Sequence, residues 1–135
     1  MRVMAIDYGD ARTGVAVSDL TATLCGDAFT IQEWDPARLA ARIAREARER
    51  EVGRLVLGLP RNMDGSEGFQ AQKVRQFMEK LQEAGLPVAF QDERLSTVSA
   101  HEALIAGGMR REERKGTVDK VAAAVILQQY LDKNR

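Results

Sequence analysis

The chain has 135 residues and a mass of 14.9 kDa, enough for one domain over residues 1–135 whose core needs neither disulfide nor metal. Its 20 Lys and Arg cancel 20 Asp and Glu, so no bulk positive field marks a polyanion partner, although local basic patches stay open. A single Cys, Cys25, and a single His, His101, exclude an intrachain disulfide and a Cys/His zinc site, and they fit a cytoplasmic location.

The opening residues become charged at Arg2 and Asp7, too soon for a secretory leader. Val3 to Asp7 is an apolar run that stops at a carboxylate and then Gly9. Val15 to Ser18 and the stretch from Thr23 to Ile31 read as two more strands, with no room for helices between them, so the first three strands form an antiparallel meander. Asp35-Pro36 opens a helix, an oxygen acceptor at the N-cap followed by proline at the first helical position. Leu39, Ile43 and Ala47 mark its buried side; Arg38, Arg42, Arg45 and Arg48 mark a solvated one.

Leu55 to Pro60 is a fourth strand, and the polar loop Arg61–Ser66 leads to a second helix with an apolar stripe at Val74, Phe77, Met78, Leu81 and Ala84. Gly85 and Pro87 end it, and Pro87 to Phe90 begins a fifth strand that runs into Asp92-Glu93-Arg94. Ser96 and the Ser99–Glu102 pair can cap a helix ending at Gly107-Gly108. Met109 to Gly116 is charged and reads as a loop; Thr117 then caps a last helix with Val118, Val121, Ala122 and Val125 on one face. The longest charge-free run, Val121 to Leu131, falls short of the ~20 residues of a membrane helix. Phe69, Phe77 and Phe90 are expected in the core, and Trp34 in the core or at its rim; Tyr8 and Trp34 are also able to stack on bases. A meander followed by strand–helix alternation specifies an α/β fold with a mixed five-stranded sheet and helices on both faces.

The acids cluster in that scheme. Asp7 ends the first strand, Asp92-Glu93 ends the fifth, and Asp119 falls in the first turn of the last helix. The carboxyl ends of parallel strands form the usual crevice of an open α/β sheet. Two carboxylates ~4 Å apart repel by about 4 kcal/mol at an effective dielectric near 20. A helix N-terminus offsets only ~0.3–1 kcal/mol of that, so convergence of these acids calls for Mg²⁺ or Mn²⁺, often a pair about 3.5–4 Å apart. Strand alternation lets only one of Asp92 and Glu93 face the crevice; Glu93, with its longer arm and place nearest the strand end, is the choice. The bland alternatives are a turn at Asp7 and an ordinary first-turn acid at Asp119.

Asp7-Tyr8-Gly9-x-x-Arg12-x-Gly14, Gly58-Leu59-Pro60 with Asp64-Gly65, Asp92-Glu93-Arg94-Leu95-Ser96-Thr97, and Val118-Asp119-Lys120-Val121-Ala122-Ala123 with Ile126-Leu127-Gln128 and Tyr130-Leu131 follow one another in order. Over essentially the whole chain they resemble the bacterial YqgF/RuvX family, which has the ribonuclease H-like fold. The resemblance implies a metal-dependent nuclease with Asp7, Glu93 and Asp119 as catalytic metal ligands. Members of the family are credited with trimming the 5′ end of pre-16S ribosomal RNA and are also described as Holliday junction resolvases.

The supporting residues have readings of their own. Gly9 and Gly14 turn the backbone tightly beside the acids or simply make a hairpin. Arg12 forks onto a phosphate or pairs with an acid. Arg94 steadies a neighbouring carboxylate or meets substrate. Arg114 and Lys115, with Arg110 and Arg111, offer backbone contacts in the loop before Asp119 or belong to a merely solvated loop, and His101 carries no chemistry. The nucleic-acid partner is met as a monomer, or as a two-fold homodimer if both strands of a junction are cut. An Asp-x-Gly turn after the first strand also occurs in actin-type nucleotide-binding proteins, but those clamp nucleotide between two such domains. A catalytically silent nucleic-acid-binding module is the third reading.

Overall fold

A computed structural model describes residues 1–62, 64–92 and 111–134, with backbone only over 111–118. Its elements are β1 (Arg2–Asp7), β2 (Arg12–Ser18), β3 (Cys25–Gln32), α1 (Pro36–Glu49), β4 (Val52–Leu59), α2 (Phe69–Glu83), β5 (Val88–Asp92) and α3 (Arg111–Lys133). The strands form one sheet in the order β3-β2-β1-β4-β5. β1–β2 and β2–β3 are antiparallel, while β1–β4 and β4–β5 are parallel, so the meander and the mixed five-stranded sheet both stand. The Ser96–Gly108 helix expected from sequence, with His101, lies outside the described residues.

Alternation along the strands divides the core between two faces. Met4 and Ile6 of β1, Val15 and Val17 of β2, and Leu55, Leu57 and Leu59 of β4 pack with Leu39 and Ile43 of α1 and Val74, Phe77 and Leu81 of α2. Val3, Ala5, Ala16 and Val56 meet Ala123, Ile126, Leu127 and Leu131 of α3 on the opposite face. The first face takes large side chains and two helices; the second is lined by small ones, which lets a single helix approach closely. Full burial of a Leu, Ile or Phe is worth about 1.5–3 kcal/mol.

Local signals act as expected at α1. Asp35 Oδ1 accepts from Ala37 N at 3.0 Å, with Pro36 at the first helical position, and the four arginines of its outer face are exposed. Gly85 adopts φ +87° just after α2, where a residue with a Cβ is strained. Other expectations change. Ala84 caps α2 and is exposed, Phe69 is 73% exposed rather than core, and Trp34, 71% exposed, is neither core nor packed rim. Phe69 opens α2 before its apolar stripe begins, where it lies 4.8 Å from Lys73 Nζ.

The last helix differs most. α3 is already helical at Arg111, where the described residues resume, so Arg111 to Gly116 is helical and Thr117 sits inside the helix instead of capping it. Arg, Glu and Lys are good helix formers, and one Gly costs only about 1 kcal/mol. The buried stripe also turns: Ala122, Ala123, Ile126, Leu127 and Leu131 are buried, while Val121 and Val125 are half-buried. The segment is apolar on most sides, so periodicity alone leaves the sheet-facing side open.

Candidate active site

Asp7 continues the alternation of Val3 and Ala5 and therefore belongs to the face of the sheet covered by α3. Its register partner on β2 is Gly14. On α3, Asp119 lies four residues before Ala123 and so heads the stripe that packs on the sheet. Gly14 is where the two meet. A Cβ there would collide with the carbonyl of Asp119 and stand 3.0 Å from Lys120 N. The missing side chain lets α3 settle on β2 directly beside the residue paired with Asp7. Gly14 thus serves a close approach and not the hairpin turn read from sequence, because it is a paired strand residue bonded to both neighbours.

Gly9 does occupy the turn. A Cβ on it would strike the carbonyl of Arg12, and its N–H donates to Thr13 Oγ1 at 3.3 Å. Arg12 is the first residue of β2. Its Nε lies 4.0 Å from Asp119 Oδ2, with the two side chains 40% and 27% exposed. Burial pushes the Asp119 carboxyl above the ordinary carboxylate range, and Arg12 opposes that only in part. At least eight helical residues of α3 precede Asp119, more than two turns, so the first-turn dipole support expected from sequence is absent; among the described side chains Arg12 supplies positive charge beside it.

At the end of β5, Phe90 packs with the core on the α1–α2 side and Asp92 follows on that same face, with Arg61 Nη1 3.8 Å from its Oδ2. Asp92 is therefore turned from the face shared by Asp7 and Asp119. Glu93 and Arg94 lie outside the described residues, as do the side chains of Arg114 and Lys115, whose backbone is helical. Among the described residues no three acids, histidines or cysteines form a metal-holding group.

On the other face of the sheet, Tyr8 stacks on Phe77 with ring centroids 4.4 Å apart. Burial raises its phenol pKa, Asp10 adding to the rise and Lys73 opposing it. The β1–β2 turn and the β3–α1 connection are tied together by Glu33 N donating to Ala11 O at 3.0 Å. Tyr8, Asp10, Trp34, Lys73 and Lys80 line one cleft there. The sequence offers its parts and not their meeting: Tyr8 and Trp34 as residues able to stack on bases, and Lys73, Phe77 and Lys80 at helical spacing.

Residues 1–133 match the family model RuvX, described as Holliday junction resolvase. The chain belongs to the RuvX family. A relative in Thermoanaerobacter pseudethanolicus, named "Putative pre-16S rRNA nuclease", is 44% identical over 100% of this chain and 99% of its own length. One of the same name in Halothermothrix orenii is 46% identical over 98% of this chain and 95% of its own. Among solved structures, the T. thermophilus RuvC in complex with Holliday junction substrate superposes with a TM-score of 0.62 at 17% identity, covering 99% of this chain and 96% of that one. That likeness supports the ribonuclease H-like fold of this RuvX family member. Among the described residues no helix is long and apolar enough to cross a membrane.

Proposed function

We propose that residues 1–135 form a single nuclease domain that hydrolyses phosphodiester bonds in structured nucleic acid with divalent metal, in the cytoplasm, at the 5′ end of pre-16S ribosomal RNA. The supporting observation is the convergence of Asp7 and Asp119 on one face through Gly14. Family membership and the name carried by full-length relatives support the choice of RNA.

The donor set fits a hard cation. Carboxylate oxygens suit Mg²⁺ or Mn²⁺, and burial makes the charged form of Asp119 costly until a positive partner neutralises it. Asp7, Glu93 and Asp119 would hold the metal; Asp92, paired with Arg61 on the other face, leaves Glu93 as the fifth-strand member of the set. A metal held there would supply an activated water and stabilise charge on the phosphoryl oxygens. Arg12, whose long ion pair with Asp119 costs little to exchange, orients a phosphate of the substrate, and Arg94, Arg114 and Lys115 hold the flanking backbone.

The test is cleavage of labelled pre-16S 5′ leader RNA and of a four-way DNA junction by the purified protein with Mg²⁺ or Mn²⁺. Trimming of the RNA beside an inert junction is the expected result. The second reading is a Holliday junction resolvase, favoured by the description of the family model. Such an enzyme cuts two strands symmetrically and works as a two-fold dimer, so junction cleavage by a solution dimer with inert RNA selects it. Absence of cleavage on both substrates removes the nuclease reading.

A further inference from the structure

The cleft beside Tyr8 is unexplained by the fold. It measures about 390 Å³, within the range of small-ligand sites, and is lined by Tyr8, Asp10, Trp34, Lys73, Gln76 and Lys80. Trp34 leaves 71% of its surface in solvent, so folding gains little from the largest side chain in the repertoire. Its neighbours hold it there: Asp35 caps α1, and Glu33 N is bonded to Ala11 O of the β1–β2 turn. Lys73 and Lys80 lie seven residues apart on α2, which puts both ammonium groups on one side of the helix.

Position matters as much as composition. Tyr8 follows Asp7 directly at the carboxyl end of the central strand β1, and alternation sends the two side chains to opposite faces of the sheet. Tyr8 lines the cleft and adjoins Asp7 in the chain, so the cleft opens next to the phosphate that the nuclease reading places at Asp7. Lys73 Nζ is now held by both carboxylate oxygens of Asp10 at 3.1 Å, an exposed pair of small net worth that a phosphate can replace.

We propose that this cleft is a binding subsite for an unpaired nucleotide adjoining the scissile phosphate, with the base stacked on Trp34 and its phosphate held by Lys73 and Lys80. Aromatic surface beside lysines is what single-stranded nucleic acid requires, and stacking tolerates any base. The site rests on the nuclease reading for its place on the substrate, yet binding and cleavage are read separately.

Trp34 is the only tryptophan of the chain, so its emission reports the cleft directly. With EDTA present to suppress cleavage, the protein is titrated with an RNA hairpin carrying a short unpaired tail and with the same hairpin blunt-ended. Saturable quenching by the tailed hairpin and little by the blunt one is expected. In anisotropy titrations of the labelled tailed hairpin, Trp34→Ala weakens binding about 5- to 150-fold, Lys80→Ala weakens it less, and Trp34→Phe restores most of it. An exposed site makes loss of folding by Trp34→Ala no concern, and circular dichroism checks it. Unquenched emission with the tailed RNA bound, equal affinity of Trp34→Ala, or no binding at all overturns the proposal. Cleavage that persists alongside any of these leaves the nuclease reading standing; quenching without cleavage in any metal leaves the subsite standing alone.

Discussion

Arg12 Nε stands 4.0 Å from Asp119 Oδ2, too far for the guanidinium to undo what burial does to that carboxyl. The folded protein therefore binds a proton at Asp119 more tightly than the unfolded chain does. The charged form is a latent cost of the metal-free fold, and Arg12 is its partial remedy.

That cost has a definite sign with pH. A carboxyl whose pKa is raised on folding contributes stability fully present below its unfolded value, about 3.9, and lost as pH rises through the folded value. Asp119→Asn in EDTA should melt higher than the native chain at neutral pH, with the gap closing as pH falls toward that value. Added Mn²⁺ should raise the native melting temperature and leave the variant unmoved. Thermal melts across pH, with and without Mn²⁺, check both; an unchanged gap at every pH contradicts the linkage.

Asp7→Asn is expected to abolish cleavage without harming the fold. The amide keeps the shape and relieves repulsion, but it binds a hard cation poorly. Groups that merely orient metal ligands cost 10–100-fold when removed, so loss of a ligand should exceed about 100-fold. Cleavage rates at saturating Mn²⁺, beside unchanged circular dichroism, read this directly.

How much of this was legible in the sequence depends on whether a feature is local. The strand end at Asp7 and the cap at Asp35 are written in a few adjacent residues, and the structure keeps them. The face on which Asp119 lies is not local. It depends on Ala5, Ala16 and Gly14 offering α3 a shallow bed, and a helix apolar on most sides cannot reveal which side fits. The helical state of Arg111 to Gly116 was hidden because charged helix formers resemble a charged loop. Trp34 was misplaced because its exposure follows from the bond between Glu33 and Ala11, made between segments 22 residues apart.

Gly14→Ala tests the close approach. The added methyl meets backbone of α3 and not a flexible side-chain tip, so strand or helix must shift. Overpacking of this kind costs about 1–3 kcal/mol, roughly 4–11 °C of melting temperature for a chain this long. Because the displaced backbone is that of Asp119, cleavage should fall even at temperatures where the variant is fully folded. A folded Gly14→Ala protein with native activity would show that the two carboxylates do not work as one site.

Asp92→Asn and Glu93→Gln separate two neighbouring acids. Asp92 continues the Phe90 face and its carboxylate is 3.8 Å from Arg61, with both side chains about a third exposed. Exposed pairs of this sort contribute roughly 0.2–1 kcal/mol, so Asp92→Asn should lower stability slightly and leave cleavage within about twofold of native. Glu93→Gln should behave like Asp7→Asn, folded and inactive. The paired measurement is a cleavage rate and a melting curve for each variant under identical Mn²⁺. If Asp92→Asn is the inactive one, the fifth-strand ligand has been assigned to the wrong side of the sheet. The metal set would then have to straddle the sheet that separates Asp7 from Tyr8.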